Sequence, residues 1–241
     1  MKGSCHCGAV RFEVRGDVRR TSFCHCSQCR RQSGGVWASA DIAREALEIE
    51  GPVRWFAASP KARRGFCPEC GAYLFWEADG SGEIAFGLGA VDGPTGLTVT
   101  RHLFVTDVLP LPQGPVQGTC LCGEVSVTLE DNSGEVTACH CVQCRKVSGH
   151  LPFSLDDPDR RARMEGDLAT YRSPGGAVRR FCPHCGSKIA FDGAEGLRSV
   201  YIGLFDLLGG HRPDLHIFTA YKGDYYALPA QSRAYPGAGP A

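Results

Sequence analysis

The residues of this 241-residue chain that could do chemistry are its cysteines, which number fourteen. Cysteine thiolates serve as metal ligands, nucleophiles and redox groups, so their spacing decides what they can do. The cysteines fall into two sets of seven at a constant shift of 115 residues, which indicates an internal duplication. The first set is Cys5, Cys7, Cys24, Cys26, Cys29, Cys67 and Cys70, and the second is Cys120, Cys122, Cys139, Cys141, Cys144, Cys182 and Cys185.

Disulfide pairing and thiol redox chemistry are the alternatives to metal ligation. Seven cysteines per half cannot be paired off within one half, and the sequence starts without the apolar stretch of an export signal. The redox alternative takes Cys26-Ser27-Gln28-Cys29 as a thioredoxin-like CxxC motif, but the βαβ pattern expected around that motif is missing. Metal ligation therefore accounts best for the spacing.

Four cysteines in each half have the spacing of a closed tetrahedral zinc site. Two of the four form a CxxC turn, followed by a glycine that can adopt positive φ. The other two have CxC spacing, which places both side chains on one face of an extended segment. The predicted structural sites are Cys5, Cys7, Cys67 and Cys70 in the first half, and Cys120, Cys122, Cys182 and Cys185 in the second.

Three cysteines then remain in each half. A zinc ion with three protein ligands keeps a fourth position for water or substrate, as catalytic sites do, whereas a fourth protein ligand would make the site structural. His102 and His216 recur near the end of each half and are candidate fourth ligands. Spacing alone does not decide between an open catalytic site and a closed structural one. The division of the seven cysteines of each half into four and three is itself an inference. The remaining sets are Cys24, Cys26 and Cys29, and Cys139, Cys141 and Cys144.

Basic and imidazole side chains lie beside these three-cysteine sets. Arg30 and Arg145 directly follow the motif and could bind substrate carboxylates, or they could be ordinary surface cations. His25 and His140 lie inside the motif and could carry a proton near the open position. Alternation along an extended segment could instead turn both rings away from the metal.

Strands are the predicted elements that position the cysteines. Apolar residues alternate with polar ones directly after each CxCG motif, at residues 10–14 and 125–129, which indicates half-buried strands. One helix is predicted at residues 41–48, and a turn at residues 156–159. Further strands are predicted at residues 84–88, 97–105, 200–204 and 215–221.

Three prolines between the halves, within residues 109–115, favour an extended connector. The predicted domains are therefore residues 1–111 and 116–235.

Composition limits the partners of the chain. The 26 basic residues equal the 26 acidic ones, so the excess positive charge that attracts nucleic acid is missing. Neither a signal peptide nor an apolar run long enough to cross a membrane is present, so we expect a cytoplasmic protein without a membrane partner. The oligomeric state stays open.

The cysteine motifs also carry a family resemblance. Residues 3–10 read G-S-C-H-C-G-x-V, residues 24–34 read C-H-C-S-Q-C-R-R-x-S-G, and residues 66–71 read F-C-P-E-C-G. The second half repeats all three motifs. Over residues 2–110 and 117–225, the chain resembles the glutathione-dependent formaldehyde-activating enzymes, also called the centromere-protein-V/GFA domain.

The resemblance implies a mainly β protein of two tandem β-tent domains, built of antiparallel sheets and each with zinc sites. It implies up to four Zn²⁺ per chain, two structural in the four-cysteine sets and two catalytic in the three-cysteine sets. The implied activity is that of a carbon-sulfur lyase of the S-(hydroxymethyl)glutathione synthase type, which forms or cleaves adducts of a thiol such as glutathione with an aldehyde such as formaldehyde. The alternative is a non-catalytic zinc-binding scaffold for a protein or nucleic-acid partner.

Overall fold

Strands form most of the protein in its computed structural model, which describes residues 1–105, 114–132, 134–205, 213 and 215–239. The predicted alternation after the first CxCG motif is confirmed, since Phe12 and Val14 are buried while Arg11 is exposed. The strands of the first half are β1 (Lys2–Ser4), β2 (Arg11–Val14), β3 (Arg20–Cys24), β4 (Gly35–Ala43), β5 (Leu47–Glu50), β6 (Arg54–Ser59), β7 (Ala62–Phe66), β8 (Tyr73–Ala78), β9 (Glu83–Gly87) and β10 (Arg101–Leu103).

The second half follows the same plan. Val127 and Leu129 are buried as the corresponding residues of the first half are. Its strands are β11 (Val116–Thr119), β12 (Ser126–Leu129), β13 (Val136–Cys139), β14 (Leu151–Asp156), β15 (Arg163–Glu165), β16 (Ala169–Arg172), β17 (Val178–Phe181), β18 (Lys188–Asp192), β19 (Arg198–Tyr201), β20 (Leu215–Ile217) and β21 (Arg233–Ala234).

Within the described residues, the strands form two small sheets and one large sheet. The small sheets have the orders β1-β2-β5 and β11-β12-β15, one in each half. The large sheet has the central order β16-β17-β18-β19-β14-β4-β9-β8-β7-β6. Pairing is antiparallel except that β10 runs parallel to β3, and β20 runs parallel to β13 and β21. The predicted mainly β fold of antiparallel sheets is confirmed.

The large sheet is continuous from one half to the other. Strands β4 and β14 pair at its centre, where Val36 lies opposite Leu151 and Gly35 opposite Pro152. The halves therefore share backbone hydrogen bonds as well as side-chain contacts. The domain bounds 1–111 and 116–235 stay a prediction, and residues 109–113 of the predicted connector lie outside the described residues.

Each half also packs an aromatic ring on the CxxC turn of the other. Gly71 and Gly186 follow the two turns with φ of 71° and 76°, as predicted for glycine at these positions. A Cβ at Gly71 would lie 2.6 Å from the ring of Phe181, and a Cβ at Gly186 would lie 2.6 Å from the ring of Phe66. Any larger residue would therefore push the two halves apart.

The helix predicted at residues 41–48 is wrong. Strand β4 extends to Ala43, a 3₁₀ turn covers Arg44–Ala46, and β5 follows. Pairing outweighs local helix propensity here, because Ile42 pairs with Ile84 of β9 and Leu47 pairs with Val14 of β2. Both aligned apolar side chains, Ile42 and Leu47, are buried.

The other predicted elements are confirmed in whole or in part. Strand β9 occupies the predicted range 84–88 almost entirely, and residues 200–204 divide into β19 and the 3₁₀ turn Ile202–Leu204. The ranges 97–105 and 215–221 contain shorter strands, β10 and β20. No helix among the described residues has the length and apolar composition needed to cross a bilayer.

Two short helices, α1 (Ser27–Ser33) and α2 (Val142–Ser148), were not predicted. The sulfur of Cys26 caps α1 by accepting a hydrogen bond from the amide of Cys29, and Cys141 caps α2 through Cys144 in the same way. Both helices end at a glycine in the left-handed conformation. Each helix thus begins inside the cysteine motif and holds its last two sulfurs in place.

Candidate metal centres

The structure gathers the cysteines into four groups, and within each group all sulfur atoms lie within 4.8 Å of one another. The groups have the membership expected from the sequence, and all fourteen cysteines are free of disulfide bonds. The groups of four are Cys5, Cys7, Cys67 and Cys70, and Cys120, Cys122, Cys182 and Cys185; the groups of three are Cys24, Cys26 and Cys29, and Cys139, Cys141 and Cys144.

The sulfur separations suit a tetrahedral metal ion. Cys5 and Cys7 lie 3.4 Å apart, Cys7 and Cys67 lie 3.7 Å apart, and Cys24 and Cys26 lie 3.5 Å apart. Four sulfurs at the Zn–S distance of about 2.3 Å from one ion would be about 3.8 Å apart, whereas a disulfide needs about 2.05 Å. An all-sulfur donor set with this geometry fits zinc.

The thiols of each three-cysteine group share negative charge. Hydrogen bonds from Cys24 and Cys29 lower the pKa of Cys26, and the hydrogen bond to Cys26 raises the pKa of Cys24. In the second half, hydrogen bonds from Cys139 and Cys141 lower the pKa of Cys144. Crowded thiols cannot all ionise on their own, whereas a divalent cation among them would let every sulfur become a thiolate.

A buried arginine touches the third sulfur of each three-cysteine group. Arg64 is 4% exposed and donates to Cys29 Sγ over 3.6 Å and to Gln28 Oε1 over 2.7 Å. Arg179 is 3% exposed and donates to Cys144 Sγ over 3.8 Å. A buried guanidinium needs a nearby negative charge. Three thiolates around one Zn²⁺ would supply one net negative charge, which the arginine balances.

The cysteine spacing does not point to these arginines, although the sequence carries a signal for them. Arg64 and Arg179 are separated by the same shift of 115 residues as the cysteines, and each stands three residues before a CxxC motif. The glutamines that they contact, Gln28 and Gln143, also recur at this shift. A polar residue that recurs with the ligands is therefore a candidate to support them.

A buried lysine lies between the two CxxC turns. Lys188 is 2% exposed, and its Nζ donates to the backbone carbonyl of Gly186 over 2.8 Å and to that of Gly71 in the other half. Burial lowers the pKa of Lys188 to about 7, against the attraction of Cys70 and Cys185. Two zinc ions with four thiolates each would place negative charge on both sides of this lysine, and that charge would favour its ammonium form.

Neither three-cysteine group has a fourth ligand among the described residues, since no histidine, aspartate or glutamate there joins the sulfurs within the same distance. The candidate fourth ligands pair with other histidines instead. His102 Nδ1 lies 3.0 Å from His25 Nε2, and His216 Nδ1 lies 2.9 Å from His140 Nε2. The four rings form two equivalent pairs beside the sulfurs.

The surroundings of the two histidine pairs differ. His102 is exposed and His25 is half-buried, whereas His140 is fully buried and His216 is 4% exposed. The Tyr226 hydroxyl lies 2.6 Å from His140 Nδ1. Burial, followed by the charge of His216, lowers the pKa of His140 to about 3, so its ring is neutral at pH 7.

The two predicted carboxylate binders also differ in position. Arg30 donates through Nη1 to the carbonyl of His25 over 2.9 Å. Arg145 lines a cleft together with Val142 and Lys146 of the same helix. The roles predicted for Arg30, Arg145, His25 and His140 stay predictions.

Known proteins resemble both halves of the chain. The family model described as "Glutathione-dependent formaldehyde-activating enzyme" matches residues 1–107 and again residues 115–221. A curated protein of Halomonas elongata, named "Putative glutathione-dependent formaldehyde-activating enzyme", is 32% identical over 91 residues, which cover 31% of this chain and 54% of that protein. The chain thus spans about half the length of this relative.

A solved crystal structure is also similar. It is of a Rhodobacter sphaeroides protein, with 25% identity and a TM-score of 0.35, and the match covers 42% of this chain and 99% of that one. The family model covers most of each half, including every cysteine of the four groups. The chain therefore belongs to the glutathione-dependent formaldehyde-activating enzyme family, with one family domain in each half.

Proposed function

We propose that this protein is a zinc-dependent carbon-sulfur lyase that forms or cleaves the adduct of a thiol with an aldehyde, as S-(hydroxymethyl)glutathione synthase does. Glutathione and formaldehyde are the proposed substrates. One observation carries the proposal: each half holds three converging sulfurs that no fourth described ligand completes, beside a group of four that needs none. Three protein ligands and one open position are the arrangement of catalytic zinc.

The reaction is an addition without redox change. The thiol sulfur attacks the carbonyl carbon, a carbon-sulfur bond forms, and the thiol proton goes to the carbonyl oxygen. Cleavage is the reverse. A zinc ion at the three sulfurs would supply a Lewis acid and favour the thiolate form of a substrate thiol.

The side chains of the protein fix the sulfurs and their charge. Helices α1 and α2 hold the last two sulfurs of each group through the caps at Cys26 and Cys141. Arg64 and Arg179 donate to the third sulfur and restrict its direction. His25 and His140 remain the predicted proton carriers, although in each ring Nε2 already faces a second histidine.

The alternative of a non-catalytic scaffold requires a fourth protein ligand at both three-cysteine sites. No described residue offers one within reach of the sulfurs. Metal analysis separates the two functions further. We expect four zinc ions per chain, whereas two ions would leave the three-cysteine sites empty and remove the basis for the lyase.

The direct test measures exchange in a mixture of glutathione and formaldehyde by two-dimensional exchange NMR, because the uncatalysed reaction is itself fast. Zinc-loaded protein should speed the exchange between free and adduct formaldehyde. The double variant Cys26→Ser, Cys141→Ser is the matched control, because it keeps both four-cysteine sites. Exchange that is no faster with the native protein than with this variant would overturn the proposal.

A further inference from the structure

A cleft of about 320 Å³ lies where three parts of the chain meet. Its walls are residues 91–94 of the first half, residues 142, 145 and 146 of helix α2, and residues 222–224 near the C-terminus. A volume of this size suits a small peptide-like molecule. Because the walls come from both halves, neither half could form this cleft by itself.

The C-terminal wall is fixed to the first half through Asp224. One carboxylate oxygen of Asp224 accepts from the amide and hydroxyl of Thr95 over 3.0 and 2.9 Å, and the other accepts from the amide of Gly96 over 2.7 Å. Tyr225, the next residue, is 1% exposed and belongs to the hydrophobic core of the first half. Its carbonyl accepts from the amide of Val99. The wall is thus held in place before any ligand binds.

The second acidic residue of the cleft is also engaged. Asp92 forms a salt bridge with Lys146, and the Lys146 ammonium additionally donates to the carbonyl of Ser4 over 3.3 Å. Lys146 and both acidic residues of the cleft therefore have partners within the protein. Their charges are largely balanced by these contacts.

Two cations of the cleft have no carboxylate partner among the described residues. Lys222 is exposed, and its Nζ donates to the carbonyls of Gly223 and Tyr226, over 3.3 and 2.9 Å. Arg145 is half-buried and hydrogen-bonds the Tyr225 hydroxyl, while its Nε finds no partner in the part of the chain that the structure describes. Both residues line the same cleft. An anion in the cleft would give both side chains a charge partner.

Helix α2 lines the cleft and also belongs to the three-cysteine group of the second half. Val142 directly follows Cys141, and Arg145 directly follows Cys144 on the short helix that holds both sulfurs. Val142 is 43% exposed and gives the cleft an apolar side. One ligand could therefore lay an apolar stem along Val142 with its anionic end at the two cations and its other end near the sulfurs.

We propose that this cleft binds the carboxylate end of an anionic, peptide-like thiol, with Arg145 and Lys222 as its charge partners. The bound molecule presents its thiol to the three-cysteine group of the second half. This assignment rests on the proposed function and deepens it, because it names the thiol-binding surface and places it on both halves. The carboxylates of glutathione belong to this chemical class.

The test measures binding of S-methylglutathione, whose capped sulfur cannot react, to the zinc-loaded full chain by isothermal titration calorimetry. Lys222→Ala and Arg145→Gln should each raise the dissociation constant by about threefold to tenfold, since each removes a charge-assisted contact at a partly exposed site. Lys222→Arg should keep the affinity. Lys61→Ala is the matched control, because Lys61 is an exposed cation outside the cleft and its removal should change nothing.

A second comparison varies the ligand. S-methylglutathione with both carboxylates converted to methyl esters should bind at least tenfold more weakly, because the esters carry no charge for the two cations. Equal affinity for the acid and the ester, or unchanged affinity in both cleft variants, would overturn the assignment. Because the ligand is unreactive, a protein without lyase activity could still show cleft-dependent binding. Lyase activity that survives unchanged in Lys222→Ala and Arg145→Gln would instead reject the cleft and keep the function.

Discussion

The two three-cysteine groups have the same arrangement of sulfurs and a buried arginine each, yet they lie in different surroundings. In the first half, the histidine pair beside the sulfurs is open to solvent at His102. In the second half, His140 and His216 are buried, and His216 Nε2 has no hydrogen-bond partner among the residues that the structure describes. The duplication therefore kept the ligands while the environments of the two sites diverged.

The C-terminal segment, residues 225–235, accounts for the difference in burial between the two histidine pairs. Strand β21 pairs with β20, the amide of Tyr235 donates to the carbonyl of His216, and the Tyr226 hydroxyl lies beside His140. The same segment enters the core of the first half through Tyr225. The segment that closes one site thus also ties the halves together. The repeated motif determines the arrangement of the sulfurs in both halves. The C-terminal segment, which is not part of that motif, determines how far solvent reaches the histidines.

The largest loss of stability should follow the loss of a four-cysteine zinc site, and it should be of similar size in both halves. Replacing one ligand of either four-cysteine group, by Cys70→Ser or Cys185→Ser, should lose one zinc ion and more than about 4 kcal/mol of unfolding free energy, because metal binding is coupled to folding. Chemical denaturation with metal analysis would measure both quantities. The two losses should be similar, since each CxxC turn packs on a phenylalanine of the other half. A large loss for only one variant would contradict the expected equivalence of the two sites.

Replacing the buried arginines should cause the next largest loss of unfolding free energy. Arg64→Met and Arg179→Met should each cost about 3–5 kcal/mol, because each leaves a buried negative sulfur group without its cation. Arg63→Met is the control, since Arg63 is exposed and pairs with Glu77 at the surface. Denaturation of the zinc-loaded protein would test this. Costs no larger than that of Arg63→Met would show that the arginines do not balance the charge of the sites.

Variants that remove one three-cysteine site at a time should show which half carries the activity. If the cleft presents the thiol to the second half, Cys141→Ser should lower the exchange rate at low glutathione by about tenfold or more, and Cys26→Ser by less than about twofold. Exchange NMR on each variant, with zinc content measured in parallel, gives the comparison. A larger loss in Cys26→Ser would assign the activity to the exposed site instead.

The closed surroundings of the second half should also appear in the pH dependence of stability. Burial lowers the pKa of His150 well below its ordinary value, so the unfolded chain binds a proton below about pH 6.5 that the folded chain does not. Stability should therefore fall as the pH drops from about 6.5, by up to about 1.4 kcal/mol per pH unit for this group. His150→Gln should make the fall shallower, whereas His184→Gln, at an exposed position, should not. Equal slopes in both variants would contradict the prediction.

The smallest effect should come from the hydroxyl beside His140. Tyr226→Phe removes a hydrogen bond of 2.6 Å to His140 Nδ1 and should cost about 1 kcal/mol. Histidine-selective chemical modification gives a second readout. His102 should react rapidly in both proteins, while His140 should become more reactive only in the variant. Equal protection of His140 and His102 in the native protein would remove the distinction between the two sites.

Much of the fold and of the metal centres could be predicted from the sequence. The repeated spacing favoured groups of four and three cysteines, and the alternation at Phe12 and Val127 identified two of the strands. The CxC and CxxC pairs are local features, because cysteines two or three residues apart can meet one ion with few backbone choices between them. The joining of one pair to the other, 60 residues away, was an inference that the structure bears out. The helix predicted at residues 41–48 was wrong because its residues pair with β9 and β2, which lie far away in the sequence.

Other parts of the site depend on contacts between distant residues. Arg64 lies 35 residues from Cys29, and Lys188 lies 117 residues from Gly71, yet each pair is in direct contact. Helices α1 and α2 were missed because each is only seven residues long and is stabilised by its caps more than by an apolar periodicity.

The sequence by itself determined the family, the duplication and the cysteines that group together, because these depend on residue types at short, repeated spacings. The tertiary structure alone decided that β4 and β14 join the halves into one sheet, and that the C-terminal segment buries one histidine pair and leaves the other exposed. Burial and charge balance are properties of whatever packs around a residue. Two copies of the same motif therefore acquired different chemical environments.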